Sequence, residues 1–175
     1  MFDDGNFSED STFLLTDWLA HTPKDVLAKN LGVDPSVLAN IPPRELYIFN
    51  APMPASLQDD LAQSKQPVVP NPFNFSLLEV KPIESKGGRV RVADVNNFKA
   101  SDTICAALME VEPGGMREMH WHPFADEWNY WMTGTGRVTI FASEGRANTV
   151  DFFPSDVGYI PRSMGHTSRT SARTS

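Results

Sequence analysis

The chain has 175 residues, 41% hydrophobic and 21% charged, which is enough apolar material for one core and too much for wholesale disorder. Its 22 acidic residues against 15 basic ones give a net charge of -7, the wrong sign for a general nucleic-acid binder. A single cysteine, Cys105, excludes an internal disulfide framework and a cysteine-rich zinc module, and no apolar run approaches the length of a membrane span.

Residues 1–50 mix aromatics with two short helical signals. Met1-Phe-Asp-Asp-Gly-Asn-Phe7 has no basic residue and no apolar stretch, so it does not read as a signal peptide. The compartment therefore stays open, and the natural start of the protein is expected to lie upstream. Thr22-Pro23 offers an N-cap followed by proline in the first turn, after which Val26, Leu27 and Leu31 share one helical stripe and Gly32 supplies a stop. Asp34-Pro35 repeats the cap signal before Ser36-Val-Leu-Ala-Asn40, and Pro42-Pro43 ends that segment. His21 sits in a helix-entry turn and is assigned no role.

Residues 51–84 form a connector punctuated by Pro52, Pro54, Pro67, Pro70, Pro72 and Pro82. Each proline removes a backbone donor, so the stretch reads as an extended strap laid over a surface. Residues 85–166 read as β. Arg89-Val-Arg-Val92 alternates, as do parts of 103–111. Asn129-Tyr-Trp-Met132 and Arg137-Val-Thr-Ile-Phe141 flank Thr133-Gly-Thr-Gly136, a hairpin signal. Thr149-Val-Asp-Phe-Phe153 and Val157-Gly-Tyr-Ile160 follow. Short, evenly spaced strands with Gly and Pro turns predict a sandwich or barrel. Residues 167–175 are small or polar with no strand pattern, an expected irregular tail.

His120-Trp121-His122 places two imidazoles at i and i+2, on one face of a strand, with Trp121 on the other. Glu127 follows five residues later and His166 lies 39 residues beyond it. Three imidazoles and one carboxylate could then converge from facing strands. Such a set leaves two positions of a six-coordinate ion free for exchangeable ligands. An oxygen donor without thiolate points away from structural zinc and toward Mn(II) or ferrous iron, with copper, nickel or zinc as weaker fits.

The spacing Gly114-(five)-His120-x-His122-(four)-Glu127-(six)-Gly134 resembles the first motif of the cupin superfamily, and Pro161 with His166 resembles the second. Arg117-Glu-Met-His-Trp-His-Pro123, Asp126-Glu-Trp-Asn-Tyr130 and Asp156-Val-Gly-Tyr-Ile-Pro161 with Met164-Gly-His166 resemble the C-terminal cupin of bicupin oxalate decarboxylases. Residues 2–13 and 15–23 resemble the segment joining the two cupins of that family.

This resemblance implies a mainly β, double-stranded β-helix (jelly-roll) barrel with short helices in its N-terminal segment. It implies cleavage of oxalate to formate and carbon dioxide with Mn(II), and dioxygen as co-catalyst. It also implies that His120, His122, Glu127 and His166 hold the metal and that Arg117 lies beside the substrate. Arg117 stands in odd register with the ligand pair, so strand alternation alone does not aim it at the metal. Ser8-Glu9-Asp10-Ser11-Thr12 resembles the family's mobile lid, with Glu9 matching the glutamate that transfers protons at the N-terminal cupin's metal. The ligands of that metal are absent from this sequence, so Glu9 is expected to be a lid residue without its own site unless another chain supplies one. Against the second motif, Ser155 and Ser163 stand where glycines are expected, and Thr170 stands where an asparagine is expected. The serines are mild changes if the backbone there avoids positive φ. The family continues with further strands, so the barrel is expected to lack its last ones, and a one-nucleotide frame shift would account for the polar tail. A non-catalytic metal-binding cupin fragment and an oxygen-consuming oxalate oxidase are the alternative readings. The lid residues Ser8-Glu9-Asp10 favour the decarboxylase over the oxidase. Neither nucleic acid nor membrane is expected as a partner, and self-association is left open.

Overall fold

The computed structural model describes residues 14–63 and 69–171, in two compact units divided between Pro67 and Val68. Among the described residues no helix is long and apolar enough to cross a membrane.

The first unit is built on short helices. Helix α1 (Leu15–Ala20) is followed by α2 (Lys24–Leu31). The expected Thr22 cap is not made, because Pro23 is itself the last residue before the helix and Thr22 stands one position too early. Its hydroxyl instead donates to Trp18 O at 2.7 Å, at the end of α1. Gly32, at φ 65°, closes α2 in the left-handed conformation, and Val33 N–H donates back to Ala28 O at 3.1 Å. The Asp34 carboxylate accepts from Ser36 N–H at 2.8 Å and starts a single 3₁₀ turn, Pro35–Leu38. Leu27, Ala28 and Leu38 bury together, with Leu19 and Ile41 packed against them. Val26 and Leu31 stay exposed, so only Leu27 of the expected stripe is covered. One 3₁₀ turn offers too narrow a surface to cover more. Within the expected extended strap a third helix forms, α3 (Leu57–Gln63). No proline falls between Pro54 and Pro67, and Ser56 accepts from Asp59 N–H at 3.2 Å while donating to the Asp59 carboxylate at 2.7 Å.

The second unit is β. Strands β1 (Ile83–Ser85), β2 (Gly88–Ala93) and β3 (Ala106–Val111) form one antiparallel sheet. Strand β4 (Glu127–Tyr130) pairs with β7 (Val157–Ile160). Strand β5 (Gly136–Ser143) lies between β6 (Arg146–Phe152) and β8 (Gly165–Thr170). The expected hairpin across Thr133-Gly-Thr-Gly136 is therefore absent, since β4 and β5 belong to different sheets. That loop carries the chain from one sheet to the other. The Trp131 indole N–H donates to Gly134 O at 3.0 Å, and a Cβ at Gly136 would stand 2.6 Å from the Trp131 ring. Gly136 is thus demanded by packing. The tight hairpin comes later, at Glu144-Gly145, both left-handed (φ 51° and 74°), between β5 and β6.

Strand β8 also runs to Thr170, four residues into the segment read as an irregular tail. Its side chains are small and polar, but its backbone pairs along β5 from Phe141↔Gly165 to Gly136↔Thr170. Backbone pairing, which no side-chain pattern announces, makes this strand. Val138, Phe152 and Ile160 are buried inside the unit, together with one polar residue, His166.

Candidate metal centre

The four residues singled out from spacing come together. One donor atom from each of His120, His122, Glu127 and His166 lies within 4.8 Å of the other three. Donors about 2.1 Å from one ion are about 3 to 4 Å apart, so the cluster is close to metal-binding dimensions. Glu127 opens β4 and His166 is the second residue of β8. His120 is joined to β8 by a reciprocal backbone pair, His120 N–H to His166 O at 3.1 Å and His166 N–H to His120 O at 2.8 Å. Oε2 of Glu127 lies 2.9 Å from His122 Nε2 and 3.2 Å from His166 Nε2.

Two of the three imidazoles are oriented by backbone. His120 Nδ1 donates to Glu118 O at 2.7 Å, and His166 Nδ1 to Met164 O at 3.1 Å. Each bond fixes the ring and turns Nε2 toward the shared centre. Burial, above all, pushes the His120 imidazole below its ordinary value, and nearby His166 and Arg117 act in the same direction. A neutral imidazole is the form a metal requires. These carbonyl acceptors carry no side-chain signature, so sequence reasoning could not name them.

Arg117 reaches the same point. Its Nη2 stands 3.3 Å from His120 Nε2, despite the odd register. The bridges explain why. Met116 pairs with Arg169 and His120 with His166, so four residue steps on one side face three on the other. That extra residue is a β-bulge, which reverses the alternation and re-aims side chains beyond it. Arg117 N–H donates to Ser168 O at 2.7 Å, and Thr167 Oγ1 donates to Arg117 O at 2.6 Å, holding the bulge against β8. Arg117 Nε is buried with no acceptor among the described residues. Arg117, His120, Glu127 and His166 line a cavity of about 680 Å³, whose apolar wall includes Met109, Val138 and Ile160. Glu9 lies outside the described residues.

A family model described as Cupin matches residues 75–174. The chain belongs to the cupin family. The mainly β cupin fold with short N-terminal helices, read from the motifs, is the fold observed. The oxalate decarboxylase of Bacillus subtilis (strain 168) is 55% identical to this cupin over 166 residues, covering 95% of this chain and 43% of the relative. A probable oxalate decarboxylase of Arthroderma benhamiae is 38% identical over 167 residues, covering 95% of this chain and 41% of that one. A solved structure of the Bacillus subtilis enzyme, from work on its Mn(II) centres, superposes with a TM-score of 0.85 at 54% identity, covering 97% of this chain and 45% of that one. This cupin thus spans less than half the length of these relatives.

Proposed function

We propose that this cupin carries out oxalate decarboxylase chemistry, the Mn(II)-dependent cleavage of oxalate to formate and carbon dioxide. The observation that carries this reading is a four-donor His₃Glu cluster beside a guanidinium whose buried Nε has no acceptor among the described residues. The close likeness to oxalate decarboxylases, one with known Mn(II) centres, supports it.

His120, His122, Glu127 and His166 would hold the ion, and the all-imidazole-and-carboxylate set suits manganese better than a thiolate-seeking metal. When bound, manganese supplies a Lewis-acidic centre and a one-electron couple. Arg117 is assigned the substrate. Its guanidinium, which lines the cavity beside the cluster, can hold a carboxylate of oxalate by charge-assisted hydrogen bonds and stabilise charge as the carbon–carbon bond weakens. One carboxyl leaves as carbon dioxide, and a proton must reach the carbon of the other to give formate. Dioxygen is assigned the co-catalyst role on family resemblance, and Glu9 the family's proton transfer at an N-terminal-cupin metal that another chain would have to supply.

The test is formate release from oxalate by the manganese-loaded chain. Arg117→Ala should lower kcat/KM by about 10- to 100-fold, the equivalent of losing charge-assisted hydrogen bonds worth about 1.5–3 kcal/mol. Oxygen consumption without formate would point to the oxidase reading. Bound metal with neither product would point to a non-catalytic cupin.

A further inference from the structure

The turn between β7 and β8, Pro161-Arg-Ser-Met164, is tied at three points to two of the proposed metal donors and to the residue before a third. Met164 O receives the His166 imidazole, as above. Ser163 N–H donates to His122 O at 2.8 Å. Arg162 N–H donates to the Asp126 carboxylate at 2.7 Å, and Asp126 immediately precedes Glu127. The Tyr159 hydroxyl, on the residue that pairs with Trp128 across β4 and β7, also faces the Asp126 carboxylate.

Between His122 and Glu127 the chain has no regular secondary structure, so no sheet ladder fixes the distance between these two donors. The Asp126–Arg162 bond spans that gap. It joins the residue before Glu127 to the same turn that holds His122 through Ser163 and orients His166 through Met164. We propose that Asp126 is a positioning residue of the metal centre. Its carboxylate pins the start of β4 to the β7–β8 turn, so that the Glu127 carboxylate meets the three imidazoles at donor spacing. The inference rests on the metal-binding reading of the cluster.

The experiment titrates the full, metal-free chain with Mn(II), following free and bound ion by electron paramagnetic resonance, beside thermal melting without metal. Outer partners that orient ligands typically carry 10- to 100-fold in affinity. Asp126→Ala should therefore weaken Mn(II) binding on the order of tenfold and alter the zero-field splitting of the bound ion, while leaving metal-free melting near that of the parent. Asp126→Asn keeps an acceptor oxygen for Arg162 N–H and should stay within about twofold of the parent. Asp151→Ala, which removes the partner of Arg137 away from the cluster, should leave affinity and spectrum unchanged. Parent-like affinity and spectrum in Asp126→Ala would overturn the proposal. So would equal weakening in Asp126→Asn, which would assign the effect to charge. Loss of the folded metal-free protein in Asp126→Ala would make the bond a determinant of the fold and would also overturn it. A parent chain that binds no Mn(II) would instead contradict the metal-binding reading itself.

Discussion

Two serines occupy backbone positions that suit glycine. Ser155 has φ 76° and Ser163 has φ 66°, both left-handed, so the condition under which these would be mild replacements is not met. A side chain in that region costs about 1–2 kcal/mol per residue, and glycine returns about 0.5–1 kcal/mol of that through its greater unfolded-state freedom. Ser155→Gly and Ser163→Gly should each stabilise the chain by about 0.5–1 kcal/mol, read as a higher denaturation midpoint with an unchanged slope. An unchanged midpoint would show that the serine side chains compensate the strain. Ser163 matters further because its N–H holds His122 O. Any strain there is stored in the turn that organises the cluster. Arg117 belongs at this scale too. Its alignment with the donors depends on one extra residue opposite β8, and a pattern of alternating residues gives no sign of where a bulge falls.

At the scale of elements, the β2–β3 ladder places Arg89 directly opposite Glu110. Arg89 Nε donates to Glu110 Oε2 at 2.9 Å, and Arg91 Nη1 to Oε1 at 2.8 Å. Arg91 also donates from Nε to Val80 O at 3.1 Å, which ties the strand to the segment before β1. The hydrogen bond from Arg89 is the main cause holding the Glu110 carboxyl below its ordinary 4.5. A carboxyl with a depressed folded-state value adds stability above the unfolded value and loses it as pH falls through the folded one. Glu110→Gln should therefore melt below the parent at pH 7, with the gap closing below about pH 4.5 as Glu110 protonates. A gap that stays constant down to pH 3 would contradict the assignment.

The elements also show what a sequence can and cannot announce. Alternation in Arg89-Val-Arg-Val92 carries a local signal, and a strand forms where it lies. Strand β8 carries none, because its residues are specified by pairing with β5. The sheet-to-sheet crossing at Thr133-Gly-Thr-Gly136, where a hairpin is expected, has the same origin. Glycines marked a change of direction, but whether the chain turned back or crossed to another sheet depended on where Trp131 packs.

At the scale of the whole molecule, the metal cluster was legible because each of its donors is a distinctive side chain at a fixed spacing. His120, His122 and Glu127 are local in sequence, and His166 completes them across 39 residues. The groups that orient them were not legible. Apart from the proposed Asp126 carboxylate, they are carbonyls of Glu118 and Met164, amides of Arg162 and Ser163, and a bulge, all properties of backbone. The proposed activity therefore depends on metal binding by the second unit. The most direct measurement is the manganese content and Mn(II) affinity of the purified chain beside His122→Ala. If the proposed centre holds manganese, the parent should carry about one Mn(II) per chain, and removing one of only four proposed donors should lower affinity at least tenfold. Unchanged manganese content in His122→Ala, or none in the parent chain, would contradict it.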